Sequence, residues 1–181
     1  MTYLIIFLLA MALVFAMIAV HETGHYLAGL TAGIPARDMK IVLLAFPQHV
    51  ALRDGDTWVS PVRDIARYIE VSRRYFATRW AAFRYVAGGI VVGTVFSAAL
   101  CVCAMLLGQD GLAVWVAYFS LAMYLINMLL MDIPCAVYYG HAVGDTSGLW
   151  QIAKLPTVAL TILVLSVYVL IIVFASGWRW D

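Results

Sequence analysis

Charge is scarce in this sequence. Of its 181 residues, 12% are Asp, Glu, Lys or Arg, against 65% that are apolar or aromatic. Soluble domains run nearer ~25% charged and ~45–50% apolar, and a globule of this length cannot enclose so much apolar surface. An ordinary soluble enzyme, a disordered chain and a nucleic-acid binder with a basic face are therefore excluded. The net charge of +1 points to no partner of either sign. Cysteine is scarce too. Cys101, Cys103 and Cys135 make an odd count, two of them inside an apolar run, so buried apolar thiols are expected rather than a disulfide framework.

What the sequence has is long runs without Asp, Glu, Lys, Arg or His. Tyr3–Val20, Tyr85–Gln109, Gly111–Met131 and Leu155–Trp178 have 18, 25, 21 and 24 residues and together make 88 of the 181. A span needs ~17–25 apolar residues, and lipid leaves no irregular backbone satisfied, so four membrane helices are expected. With the polar end of the first run included, the spans are placed at about 3–30, 85–109, 111–131 and 155–178. The first run has no basic start and no small-residue cleavage site, so a permanent span is expected rather than a signal peptide. No internal repeat appears, and the whole chain, 1–181, reads as a single polytopic membrane domain.

Lys and Arg set the orientation. Residues 32–84 hold nine of the eleven, which by the positive-inside rule makes this segment cytoplasmic. Both termini and the Asp110 turn then lie outside, residues 132–154 lie inside, and a cell-membrane location is expected. Within the cytoplasmic segment Met39–Phe46 is a β-prone run ending at Pro47. His49–Arg53 and Asp56–Ser60 flank Asp54-Gly55, a two-residue hairpin signal. Ser60-Pro61 reads as a helix start. After it, apolar positions from Val62 to Phe83 alternate with arginines, as in an amphipathic helix lying on a membrane surface. The fold class expected is an all-α membrane protein of four transmembrane helices, with a short membrane-adjacent β-hairpin and an amphipathic interfacial helix.

The chemistry stands at the cytoplasmic end of the first span. His21-Glu22-Thr23-Gly24-His25 is H-E-x-x-H. On a helix the two histidines sit one turn apart on one face, so both imidazoles can reach one metal ion. Glu22 is offset on the same side, as a carboxylate base beside a zinc-bound water would be. Zinc brings the pKa of such a water near neutrality and polarises a carbonyl. With four His and two Glu in the chain, random placement produces the pattern on the order of once in a thousand sequences. Ionisable groups at the end of a span are also costly unless they function. A third protein ligand must come from residues 132–154, the other cytoplasmic segment. Asp132, His141 and Asp145 are the candidates. Asp132 can instead mark a helix end, His141 can be a loop histidine, and Asp145, in a glycine-flanked turn, can be a helix N-cap. Asp145 is preferred and Asp132 is its rival.

These features resemble the site-2-protease family of intramembrane zinc metalloproteases, in a minimal form without a PDZ domain. The resemblance covers roughly residues 3–150. It rests on His21-Glu22-Thr23-Gly24-His25-Tyr26, followed by Ala28-Gly29 and Gly33-Ile34; on Ala45-Phe46-Pro47; on Ala87-Gly88-Gly89 at the start of the second span; and on Asn127 followed by Asp145. The Asn-to-Asp spacing of 18 residues is longer than the family's, and Thr146 stands where the family has Gly. The resemblance implies a zinc metalloendopeptidase with ligands His21, His25 and Asp145, Glu22 as catalytic base and Asn127 holding substrate backbone. Its substrate would be a membrane-spanning or membrane-adjacent segment of another protein, cut near the cytoplasmic leaflet. A β-prone edge such as Met39–Phe46 can capture an unwound strand by main-chain pairing. Asn127 can equally make an interhelical hydrogen bond, and Gly88, Gly89 and Gly93 suit close helix packing. Two other classes remain: a non-catalytic metal-binding membrane partner that binds membrane segments, and, with less support, a metal transporter.

Overall fold

The structure, a computed structural model, describes residues 2–177. Among them are four helices long and apolar enough to cross a membrane, together with a small three-stranded sheet. Two compact units divide the chain, Met1–Gly93 and Thr94–Asp181.

In the first unit helix α1 runs from Thr2 to Ala32, about 46 Å at 1.5 Å per residue. Residues such as Leu4, Phe7, Leu8 and Leu9 are more than half exposed, as an apolar helix facing lipid would be. Past Pro35 the chain enters strand β1 (Met39–Val42), which pairs antiparallel with β2 (His49–Asp54), and β2 pairs with β3 (Thr57–Val59). The hairpin expected at Asp54-Gly55 joins β2 to β3, and β1 makes the pair a sheet. The β-prone run to Phe46 is shorter as a strand than expected. Val42 is the last residue paired, opposite His49, and the residues between form the connection.

Side chains alternate across the pleat. Met39, Val50, Leu52 and Val59 are buried together with Ile34 from the end of α1, Val71 and Tyr85. Leu52 and Val71 are wholly enclosed, worth about 1.5–3 kcal/mol each. Val71 belongs to helix α2 (Ile65–Arg73). This is where the expected interfacial helix differs. It starts at Asp64, whose carboxylate caps the Arg67 N–H at 2.9 Å, and stops before Thr78, so the amphipathic stretch is one short helix plus the opening of helix α3 (Arg79–Leu106). Its apolar side packs on the sheet. Two of its arginines are paired with acids: Arg67 and Arg74 both grip Asp54, and both also reach Glu70, at 2.7 and 3.2 Å. The two guanidiniums, Arg74 foremost, hold the Asp54 carboxyl below its ordinary range.

In the second unit the latter part of α3 is followed by helix α4 (Asp110–Ile126), a π-helical segment at Asn127–Asp132 and helix α5 (Ile133–Tyr139), continuous as one apolar rod. The third span therefore runs beyond Met131, where its end was expected. Asp132 does not stop it; its carboxylate accepts the Ser147 N–H. The wider π turn precedes Pro134, whose ring would clash in an uninterrupted α-helix. The rod stops at Gly140, which takes φ 73°. Residues 132–154 are thus largely helical, with α6 at Asp145–Ile152 and α7 starting at Lys154. Helix α7 (Lys154–Ala175) packs on α4 through Thr157, Val164, Tyr168 and Ile171 against Ala113, Val116, Ala117 and Ser120. Tyr124 donates to Thr161 Oγ1 at 3.3 Å across that seam. The sequence ends the fourth span at Trp178, which lies outside the described residues, as does Arg179. All three thiols are free, but only Cys101 is buried; Cys103 is exposed and Cys135 half-buried, contrary to the expectation for all three.

Candidate metal centre

Histidines 21 and 25 lie one turn apart on α1, eleven and seven residues before its end at Ala32. Their Nε2 atoms face each other at 3.1 Å, with ring centroids 4.8 Å apart and ring planes nearly perpendicular. Glu22 is brought to the same place. One ligand atom from each of the three residues lies within 4.8 Å of the others, and Glu22 and His25 are buried at 7% and 8% exposure. Among the described residues this is the one group of three or more His, Cys, Asp or Glu side chains that can hold a metal ion.

The His25 ring is fixed from behind. Its Nδ1 lies 3.0 Å from the carbonyl oxygen of Tyr85 on α3. A carbonyl can only accept, so Nδ1 carries the proton and the neutral ring has its lone pair on Nε2, toward His21. Backbone support of this kind is how metal-binding imidazoles are oriented. Tyr85 itself is set by the core: its ring is buried in the sheet cluster, and its hydroxyl is hydrogen-bonded to that of Tyr68 on α2.

Glycine shapes the opposite wall. A side-chain carbon at Gly89 would sit 2.6 Å from His21 Nε2 and would also collide with His25 Nε2. Beside it, the Gly88 backbone of α3 lies against Gly24 of α1, where a Cβ would meet Val92 Cβ at 2.8 Å. The close packing expected of Gly88 is present. Gly89 has a role the sequence reading missed, since it faces the imidazole nitrogens. The Tyr85 carbonyl was missed as well, because a backbone acceptor leaves no residue-type signal.

The donor set fits a zinc-like ion. At ~2.0–2.1 Å from a common centre, two nitrogens 3.1 Å apart subtend about 100°, close to tetrahedral. Two neutral imidazole nitrogens and a nearby carboxylate suit a borderline-soft divalent cation. The geometry leaves the metal's identity open.

The other candidates belong to the second unit. Asp132 is buried at 5% exposure, and both its oxygens accept the Ser147 N–H, at 3.1 and 3.3 Å. It thereby caps the start of α6 from a distance, and Gly144 makes room for it: a Cβ there would lie 2.9 Å from Asp132 Cγ. Asp145 is the first residue of α6, half-buried. Asn127 opens the π segment and is exposed, and His141 is exposed with Nδ1 donating to the Ala142 carbonyl at 2.9 Å. Comparisons with protein-family models, curated proteins and solved structures gave no match.

Proposed function

We propose that this chain is an intramembrane zinc metalloendopeptidase of the kind the site-2-protease resemblance implies. The observation that carries the reading is the convergence of His21 and His25 Nε2 at 3.1 Å beside a buried Glu22, on a helix apolar enough to span a membrane. His21 and His25 hold the ion. For the third protein ligand we keep Asp145, as the resemblance implies, with Asp132 as its rival. Zinc, when bound, makes a water acidic near neutral pH and polarises the scissile carbonyl.

This chain's own residues supply the rest. The Glu22 carboxylate takes a proton from the attacking water and returns it to the leaving amide nitrogen, as a positioned general base and then acid. The Tyr85 carbonyl keeps the His25 Nδ1 protonated, so that the ring offers Nε2 and no other atom. Strand β1 pairs with β2 on one side only, and its other edge can take an unwound substrate segment by main-chain hydrogen bonds. Such a substrate is a membrane-spanning or membrane-adjacent stretch of another protein, with Asn127 contributing to backbone capture. Cleavage is assigned to the cytoplasmic leaflet, from the arginine bias of residues 32–84.

The test is Glu22→Gln against His21→Ala in the purified full chain, reading zinc content and cleavage of a reporter membrane protein. Glu22→Gln is expected to keep the metal and lose cleavage; His21→Ala is expected to lose both. Undiminished cleavage by Glu22→Gln overturns the mechanism. Zinc binding with no cleavage by the native chain, across a panel of membrane segments, favours the non-catalytic metal-binding partner.

A further inference from the structure

The face of the sheet turned away from its core carries a second feature. Register places Lys40 opposite Ala51 and Val42 opposite His49 on that face. With Trp58, Ser60 and Arg63 they line a cleft of about 210 Å³. Ala51, 3% exposed, is its floor; a larger residue there would fill it. Lys40, His49 and Arg63 give the lining three basic side chains and no carboxylate. Lys40 Nζ stands 6.0 Å from the centre of the Trp58 ring, and His49 donates Nδ1–H to the Pro47 carbonyl at 2.9 Å, which fixes its ring. Unlike Arg67 and Arg74, neither Lys40 nor Arg63 forms an ion pair with an acid among the described residues.

The rim adds a second observation. The connection between β1 and β2 exposes Leu44 at 98% and Phe46 at 90%, on either side of Ala45, which lines the cleft. Two large apolar side chains held in water at a loop tip are unfavourable unless something apolar receives them. The sheet packs against the end of α1, as the close approach of Met39 to Gly29 shows, so it belongs at the border of any bilayer that α1 crosses. A basic cleft, an indole and an apolar tip together match a lipid interface, with phosphate, glycerol and acyl regions in that order. At 210 Å³ the cleft is smaller than the ~300–1,000 Å³ of drug-sized sites, the scale of a headgroup rather than a folded partner.

We propose that this cleft binds the phosphate of an anionic phospholipid, through Lys40, Arg63 and His49 over Trp58, while Leu44 and Phe46 enter the acyl region. The bound lipid pins the sheet, and with it the free edge of β1, to the membrane surface. The site is independent of the metal centre and requires no catalysis.

The experiment is native mass spectrometry of the full chain in neutral detergent, titrated with phosphatidylglycerol or phosphatidylcholine. In micelles there is no lipid surface potential, so retention reads a site and not general attraction. The native chain is expected to retain phosphatidylglycerol and not phosphatidylcholine. Lys40→Gln with Arg63→Gln should weaken that retention roughly 20-fold, as the loss of two exposed ion pairs to one phosphate does. Ala51→Leu should weaken it with no change of charge, and Arg37→Gln with Arg73→Gln, off the cleft, should change it less than threefold. Equal retention by the native chain and both cleft variants overturns the proposal. So does displacement of the lipid by millimolar inorganic phosphate, which makes the site one for free phosphate, or by a soluble Glu-rich peptide, which makes it a protein-binding face. Circular dichroism of each variant verifies that it is folded.

Discussion

His25 donates its Nδ1–H to the carbonyl oxygen of Tyr85 at 3.0 Å, across the pair formed by α1 and α3. One hydrogen bond thus ties the proposed metal ligand to the residue that also closes the core under the sheet. The site's tautomer depends on how α3 sits against α1, and that depends on small residues.

Gly89→Ala is expected to damage the metal centre without changing any ligand. The new methyl would lie within 2.6 Å of His21 Nε2, and neither that ring nor its partner can retreat without giving up their mutual orientation. Zinc affinity should fall at least about tenfold, as it does when the supports of metal ligands are disturbed. Competition with a chromogenic chelator measures it. Affinity unchanged in Gly89→Ala would mean that the imidazoles do not need this wall.

Gly24→Val tests the approach of the two helices. The added carbons would meet the Gly88 carbonyl, which is backbone and cannot rotate away. Overpacking of this kind costs about 1–3 kcal/mol. A lower melting temperature of the detergent-solubilised chain, together with reduced zinc content, is the expected result, and Gly24→Ala should show the same effects in weaker form.

Asp132 and Asp145 should separate by what each substitution loses. Asp132→Ala removes the acceptor of the Ser147 N–H and should cost about 1 kcal/mol, as the loss of a helix cap does. Faster hydrogen exchange at residues 145–148 would report it, with zinc retained. Asp145→Ala should instead lose zinc. The opposite pattern would transfer the third ligand to Asp132.

The arginine clamp on Asp54 predicts a pH dependence. The folded Asp54 and Glu70 carboxyls lie below their ordinary values, both through hydrogen bonds from Arg67 and Arg74. A lowered folded value means that the stabilisation is fully present above the unfolded value, near 4, and is lost as pH falls through the lower folded value. Exchange protection of residues 54–74 should hold from pH 7 down to about 4 and fall below it. Asp54→Asn should show the reduced protection already at pH 7 and little further change from that residue on acidification.

Much of this protein was legible in its sequence because two of its signals are local. The four uncharged runs predict helices, since a span must satisfy its own backbone, and four such helices are present. H-E-x-x-H fixes the relation of His21, Glu22 and His25 because a helix repeats every 3.6 residues, whatever surrounds it. Asp54-Gly55 predicts its turn for the same reason.

Other features were decided only where distant segments meet. Asp132 looked like the end of a span, yet the helix runs on through a π turn, and Ser147, fifteen residues later, supplies its N–H to the carboxylate. Arg67 and Arg74 read as part of a basic amphipathic helix on a membrane surface, and the structure pairs both with Asp54. The orientation of the His25 ring rests on a carbonyl sixty residues away, on a bond that any residue type at position 85 could have made. The sequence by itself determined which ligand atoms the first apolar helix carries and their spacing along it. Tertiary structure decided which nitrogen of His25 carries its proton and which glycine leaves room for the ring, because those follow from contacts between helices and not from the period within one.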